Sequence, residues 1–375
     1  MASDMIYPLM PVFLTQYLHA GQGFVGLVEG FAESTAAFFT LLSGIWADRA
    51  KDRSKLVLTG YTLSSLSKPL IAIAWNPWVV FFVRFFDRIG KGIRTSPRDA
   101  LIADSIDHHV REAAYGLHRS MDNAGAVMGP LVATFLLTWF IKDLRQLFWI
   151  AVIPGLASLV LIIWKVREIS PAKRVIRDRK FSFQLPKGKL RIYLGILFLF
   201  MLSCSSDAFL LLRAGELGVP TPLLPLIWML LSIVKAATTY PFGRLSDRVG
   251  HRKLILIGWI VYIAVYVAFA LADATWHAWA LFAAYGFFYG LTEGSERAVL
   301  VEYAQADQRG ESFGWFYFIV GLGALPASLI FGLIWQNFGS KTAFLMSASI
   351  STLAALLLFI FLLKVPSVTG KKLAS

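Results

Sequence analysis

Cysteine is nearly missing from this chain and charge is thin: its 375 residues include one cysteine, Cys204, six histidines and 23 acidic residues. A single cysteine excludes a disulfide framework and any cysteine-ligated zinc or iron–sulfur cluster within one chain. No HExxH or lysine-containing phosphate loop occurs, which removes the commonest zinc-protease and nucleotide-binding signatures. Charged residues make up 16% of the chain, against about 25% in a soluble domain. What fills the space is apolar: 57% hydrophobic residues plus 29 glycines, roughly 65% together against the usual ~45–50%. A membrane span uses about 20 such residues, so twelve would take roughly 240 and leave about 135 for loops and ends. That excludes a sizeable soluble domain and defines an integral membrane protein.

Apolar stretches bounded by charge predict spans over residues 1–18, 24–47, 56–75, 78–97, 113–138 and 146–164, and again over 192–212, 222–245, 254–272, 276–301, 312–335 and 342–363. The expected fold is all-α, with an amino-terminal six-helix bundle (1–165), a basic linker (166–190), a carboxy-terminal six-helix bundle (191–364) and a tail (365–375). With both termini in the cytoplasm, 23 of the 36 Lys and Arg fall in cytoplasmic segments and four, Lys142, Arg145, Arg213 and Lys341, in outer loops. The positive-inside rule therefore places the chain in the cytoplasmic membrane with cytoplasmic termini. It accounts for most of the +13 net charge without nucleic acid. The linker, with Lys173, Arg174, Arg177, Arg179 and Lys180, reads as an orientation signal in contact with anionic lipid.

The halves repeat each other. Gly44 to Arg49 (GIWADR) recurs as Gly243 to Arg248 (GRLSDR), Ser3-Asp4 as Ser206-Asp207, Asp99 to Asp104 as Arg297 to Glu302, and Tyr115-Gly116 as Phe313-Gly314, all at offsets of 198 to 203 residues. The stretch from Gly243 through Asp247, Arg248 and Gly250 to Lys253 resembles the loop between the second and third spans of each half in the major facilitator superfamily. Gly44 to Lys55 is a degraded copy, with Ala50 and Asp52 where glycine and a basic residue are usual. The resemblance covers the whole chain and implies two pseudo-symmetric bundles that rock about a midplane site, without cofactor or metal, acting as a monomer on a small-molecule substrate. Gly44, Asp48, Arg49, Gly243, Asp247 and Arg248 are the expected gate latch: a carboxylate there caps a helix end and pairs with arginine until the gate opens.

The fourth span carries Arg84, Asp87, Arg88, Lys91, Arg94 and Arg98 at three- and four-residue steps, one stripe on a helix. Charge at bilayer depth costs at least about 2.5–3.5 kcal/mol, so this face lines water, substrate or partners. Two readings stand: a salt-bridge lattice with Glu29, Glu33, Asp122, Asp4, Glu293 or Glu296, or an electropositive cavity wall for an anionic or zwitterionic solute. The superfamily often places glycines four, six and eight residues after this arginine. Here Arg88 replaces the first, before Gly90 and Gly92, so Arg84 and Arg88 both become candidates for coupling. Gly125, Gly129 and Pro130 resemble the glycine-proline motif of exporters in the superfamily. The resemblance thus implies a proton-coupled secondary transporter engaged in efflux, with a proton-coupled importer as the alternative. Asp4, Asp207, Glu293 and Asp122 are the proton-carrying candidates, and Glu293 and Glu296 face the basic fourth span.

Two further expectations follow. His118 and Asp122 match the HxxxD spacing of some acyltransferases, but duplicated halves have no role in such an enzyme; a passive channel or solute sensor is the other rival. The seventh span has about sixteen residues before Asp207, whereas the first has three before Asp4. The first helix is therefore expected to be short by roughly a dozen residues.

Overall fold

The computed structural model describes residues 1–50, 52–104, 111–165, 186–304 and 309–364. The basic linker, the tail and His108-His109 lie outside them. Nearly everything described is helical, and there is no strand among the described residues. Helix α1 occupies residues 2–17, α2 Gln22–Arg49, α3 Arg53–Ala72, α4 Pro77–Asp104, α5 Arg111–Trp139 and α6 residues 144–165. The second half repeats this: α7 in two pieces, Gly188–Met201 and Ala208–Glu216, then α8 Leu224–Val249, α9 His251–Leu271, α10 Thr275–Tyr303, α11 Arg309–Phe338 and α12 Ser340–Lys364. Six helices are long and apolar enough to cross a membrane by composition alone. The others fall short because they are broken, as α1 and α7 are, or polar along one face, as α4 is.

Helix pairing shows the internal symmetry. α2 packs on α4, α3 on α4 and α6, and α1 on α5 and α6; α8 packs on α10, α9 on α10 and α12, and α7 on α11 and α12. Each pairing recurs six helices later. Two main seams join the halves, α2 with α11 and α5 with α8, and these are also related by the same shift. The arrangement is two six-helix bundles about a pseudo-twofold axis.

The α2–α11 seam is built from glycine. A Cβ on Gly26 would collide with the Ser328 carbonyl, and one on Gly30 with the Leu325 backbone, so only glycine lets the two backbones approach this closely. The Gly23 amide donates to Gln336 Oε1 (3.0 Å), and the Ser34 hydroxyl donates to the Gly321 carbonyl. The first bond closes the end where α2 begins and α11 ends, and the second ties the two helices near their middles. At the opposite end α5 and α8 part: residues 119–124 of α5 are exposed on every face, and an open cleft of about 480 Å³ lies between the two helices.

Two irregularities bear on function. α1 contains Pro8 and Pro11 and passes through 3₁₀, α and π turns before residue 17, because proline removes ladder donors. α7 breaks at residues 202–207, where the run Ser203, Ser205, Ser206, Asp207 offers local hydrogen bonds that compete with the helix. The freed backbone is satisfied by neighbours, as membrane burial demands: Tyr262 (2.8 Å) and Ser347 donate to the Ser203 carbonyl, and the Ser206 amide donates to Ser328 Oγ (3.1 Å).

Candidate functional site

In the first half, the stripe on α4 turns toward α2. Arg84 Nη2 donates to both oxygens of Glu29 (2.7 and 2.8 Å), and both side chains are buried. Arg88 pairs with Glu33 at 3.2 Å. Asp87 lies 3.9 Å from Arg84 and accepts from Ser67 Oγ at 3.4 Å. Lower on the stripe, Arg94 stacks over the Tyr61 ring, Arg98 pairs with Asp99 at 3.0 Å, and Lys91 is exposed. Lys68 on α3, which the pattern of spans did not single out, is also buried and donates to the Ser64 carbonyl (2.9 Å). The structure thus uses Arg84 and Arg88 as a lattice between α2 and α4; of the stripe, Lys91 is the residue left facing open space.

The second half fills the equivalent volume with rings. Phe200 stacks on Trp259 (centroids 4.0 Å apart), Tyr262 on Tyr266 (4.1 Å), and Tyr285 on Phe288 (5.5 Å). Asp207 stands at the break in α7 beside this aromatic shell. Tyr285 Oη donates to its Oδ1 and Tyr289 Oη to its Oδ2, both at 2.9 Å. No cation lies within 4.0 Å of it among the described residues. Glu296 is buried nearby beside the Trp259 indole. It too has no ion pair among the described residues.

Glu293 is the opposite case. Arg119 of α5 (2.9 Å), Lys235 of α8 (3.1 Å) and Arg297 (3.3 Å) all converge on its carboxylate. Arg119 belongs to the first half and Glu293 to the second, and theirs is the one ion pair joining the halves among the described residues. Lys235 also sits over the Tyr289 ring at 4.3 Å. A continuous path therefore runs from Asp207 through Tyr289 and Lys235 to the pair between the bundles. Lys235 escaped the sequence reading because a lone lysine on an otherwise apolar span has no periodic signature.

Asp4 pairs with the Met1 ammonium at 2.7 Å, and α1 there packs on Gly125 and Gly129 of α5. Asp122 is exposed and lies 3.5 Å from His118, so the HxxxD residues do share a helix face, on the open flank of α5.

The gate loops are not equivalent. Asp247 is exposed and has no ion-pair partner among the described residues. Ser246 instead bonds His251 Nδ1 (2.8 Å) and Ser295 (3.0 Å), and Gly250, at φ +100°, makes the turn into α9. In the first loop the side chains of Asp48 and Arg49 lie outside the described residues. Arg53 is buried and donates to the Ala47 carbonyl (2.7 Å), and Asp52 caps α3 by accepting from the Ser54 hydroxyl (2.6 Å) and the Lys55 amide. The Ser54 hydroxyl chiefly, with the Lys55 amide, holds the Asp52 carboxyl below its ordinary range. The residue that departs from the superfamily pattern is thus a helix cap.

Two bundles related by a pseudo-twofold, closed at one end and bridged by the Arg119–Glu293 ion pair, have the architecture of a multi-pass membrane transporter. Similarity to known proteins supplies the family. The model of the Major Facilitator Superfamily matches residues 1–292 and 192–375, and the chain belongs to that superfamily. It is 32% identical over 96% of its length to an uncharacterized MFS-type transporter of Methanocaldococcus jannaschii, covering 90% of that protein. It is 24% identical to the multidrug resistance protein MdtG of Klebsiella pneumoniae, over 93% of this chain and 87% of that one. Among solved structures, the nucleoside transporter NupG superposes with a TM-score of 0.80 at 16% identity, covering 96% of both chains. A bacterial homolog of the human lysosomal transporter Spinster gives 0.76 at 17%, covering 96% of this chain and 93% of that one. At such identities these structures establish the fold.

Proposed function

We propose that this transporter is coupled to protons and moves a small organic solute outward across the cytoplasmic membrane by alternating access. The observation that carries the reading is Asp207. Its partners are two neutral hydroxyls, so a proton can neutralise it without stranding a cation in the bilayer. Glu293, held by three cations, has no such freedom. Protonation of Asp207 turns one of its oxygens into a donor and weakens the acceptor that holds Tyr285 and Tyr289. Tyr289 lies under Lys235, and Lys235 shares Glu293 with Arg119. The charge on Asp207 is thereby linked to the bridge between the bundles, a coupling between two states in the sense required for transport. Export is supported by the glycine-proline motif of α5 and by the multidrug-resistance relatives. By the positive-inside rule the closed α2–α11 end faces outward and the α5–α8 cleft faces the cytoplasm.

The test is flux in proteoliposomes with internal pyranine and an imposed pH gradient, against panels of anionic and cationic solutes. Asp207→Asn is expected to lower gradient-driven accumulation by about tenfold or more while downhill exchange persists, since the neutral amide mimics one charge state only. Accumulation by Asp207→Asn at the wild-type rate would move the coupling group elsewhere. Uptake confined to right-side-out vesicles would reverse the direction.

A further inference from the structure

The cations around Glu293 outnumber its charge. Arg119, Lys235 and Arg297 meet one carboxylate at a position where Arg119 is mostly and Arg297 about half exposed, and the other acids nearby, Glu296 and Asp207, make no ion pair with them among the described residues. Asp122, the nearest acid on α5, is paired with His118 and does not join the cluster. Beside the cations lies the α5–α8 cleft, lined by Asn123, Ala124 and Val127 on one side and Ser232, Ile233 and Ala236 on the other. Arg119 is one turn from Asn123 on the same helix, and Lys235 falls between Ser232 and Ala236. An apolar slot thus ends against a patch of excess positive charge. Its volume, about 480 Å³, lies within the ~300–1,000 Å³ of ordinary ligand sites.

We propose that this combined site binds a single-chain anionic amphiphile, with the acyl or alkyl chain in the α5–α8 cleft and the anionic head on Arg119, Lys235 and Arg297. The inference rests on the transport reading and names its substrate class. Glu293 acts as the internal competitor. An incoming phosphate or carboxylate takes over the cations, and the Arg119 bridge between the bundles is handed from Glu293 to the ligand. Charge complementarity selects the head, since an ammonium would face three cations that share a single paired carboxylate. The chain selects the ligand against free phosphate, because apolar burial contributes along the length of the slot.

The experiment is isothermal titration of the full chain in phosphatidylcholine nanodiscs, with empty discs subtracted, using dodecyl phosphate, dodecyltrimethylammonium, dodecanol and inorganic phosphate as probes. Saturable binding of dodecyl phosphate is expected, with inorganic phosphate weaker by about a hundredfold and the other two not saturating. Glu293→Gln is expected to tighten dodecyl phosphate several-fold, a gain that a misfolded variant does not produce. Arg119→Ala with Lys235→Ala should weaken it by about tenfold or more. Ala236→Phe should weaken dodecyl phosphate and leave inorganic phosphate unchanged. Equal affinity for the ammonium probe, equal affinity for inorganic phosphate, or weakening by Glu293→Gln would each overturn the proposal. If dodecyl phosphate fails to bind while Asp207-dependent, proton-driven flux of another solute persists, the substrate class falls and the transport reading stands.

Discussion

The two bundles share a frame and differ in what fills it. At the offset of 198 residues that aligns Asp99 with Arg297, Arg84, Asp87, Arg88, Lys91 and Arg94 of α4 correspond to Phe282, Tyr285, Gly286, Tyr289 and Thr292 of α10. The first half is held across α2 and α4 by buried ion pairs, the second across α7, α9 and α10 by stacked rings. In a bilayer the hydrophobic effect does not drive helices together, so cohesion comes from packing and from internally satisfied polar groups. Each half uses one of these. The first half pairs its buried carboxylate Glu29 with Arg84, whereas the aromatic half leaves two carboxylates, Asp207 and Glu296, without an ion pair among the described residues. On the proposed reading, the titrating group sits in the second half and the rigid reference in the first.

The sharpest way to break this comparison is Arg84→Ala, which leaves Glu29 buried and uncompensated and should cost about 3–5 kcal/mol. The measurement is the unfolding midpoint in detergent. Arg84→Met combined with Glu29→Leu should recover most of that loss, because replacing a buried pair by apolar groups is near neutral. A double variant as unstable as the single one would show that the lattice has another role. In the aromatic half, Phe200→Ala should cost about 2 kcal/mol, below the ~3–5 of a soluble core, because lipid is as apolar as the core and only packing is lost. Its effect should add to that of Arg84→Ala, since the two sites share no partner. The smallest effect is expected from Asp52→Ala, about 1 kcal/mol as for other helix caps. The same midpoint measurement, with Asp52→Ser restoring most of the stability, separates capping from surface charge.

Span number, order and limits were readable because apolar length and flanking charge are local properties. All twelve expected spans lie within a few residues of helical segments. The stripe on α4 was readable from its period, and Glu29 and Glu33 could be named as partners because carboxylates at bilayer depth are few. What the stripe does was not. Whether Arg84 turns to a neighbouring helix or to water depends on a partner 55 residues away. The convergence on Glu293 draws on α5, α8 and α10 at once and leaves no mark in any one of them. The break in α7 left a trace in its serine run, but its support comes from Tyr262, Ser328 and Ser347 on three other helices. The gate loop shows the reverse. Its motif is the clearest in the sequence, yet Asp247 has no ion-pair partner among the described residues.

The glycine seam between α2 and α11 has a mechanical consequence. Where side chains interlock, a joint can loosen by degrees, because each side chain that melts regains rotamer entropy as it comes free. Main chain resting on main chain has no such reserve: a small parting forfeits a large share of the dispersion energy and gains little disorder in exchange. Such a joint holds or lets go as a unit, which would make a gate at this seam two-valued and discourage half-open states through which ions could leak.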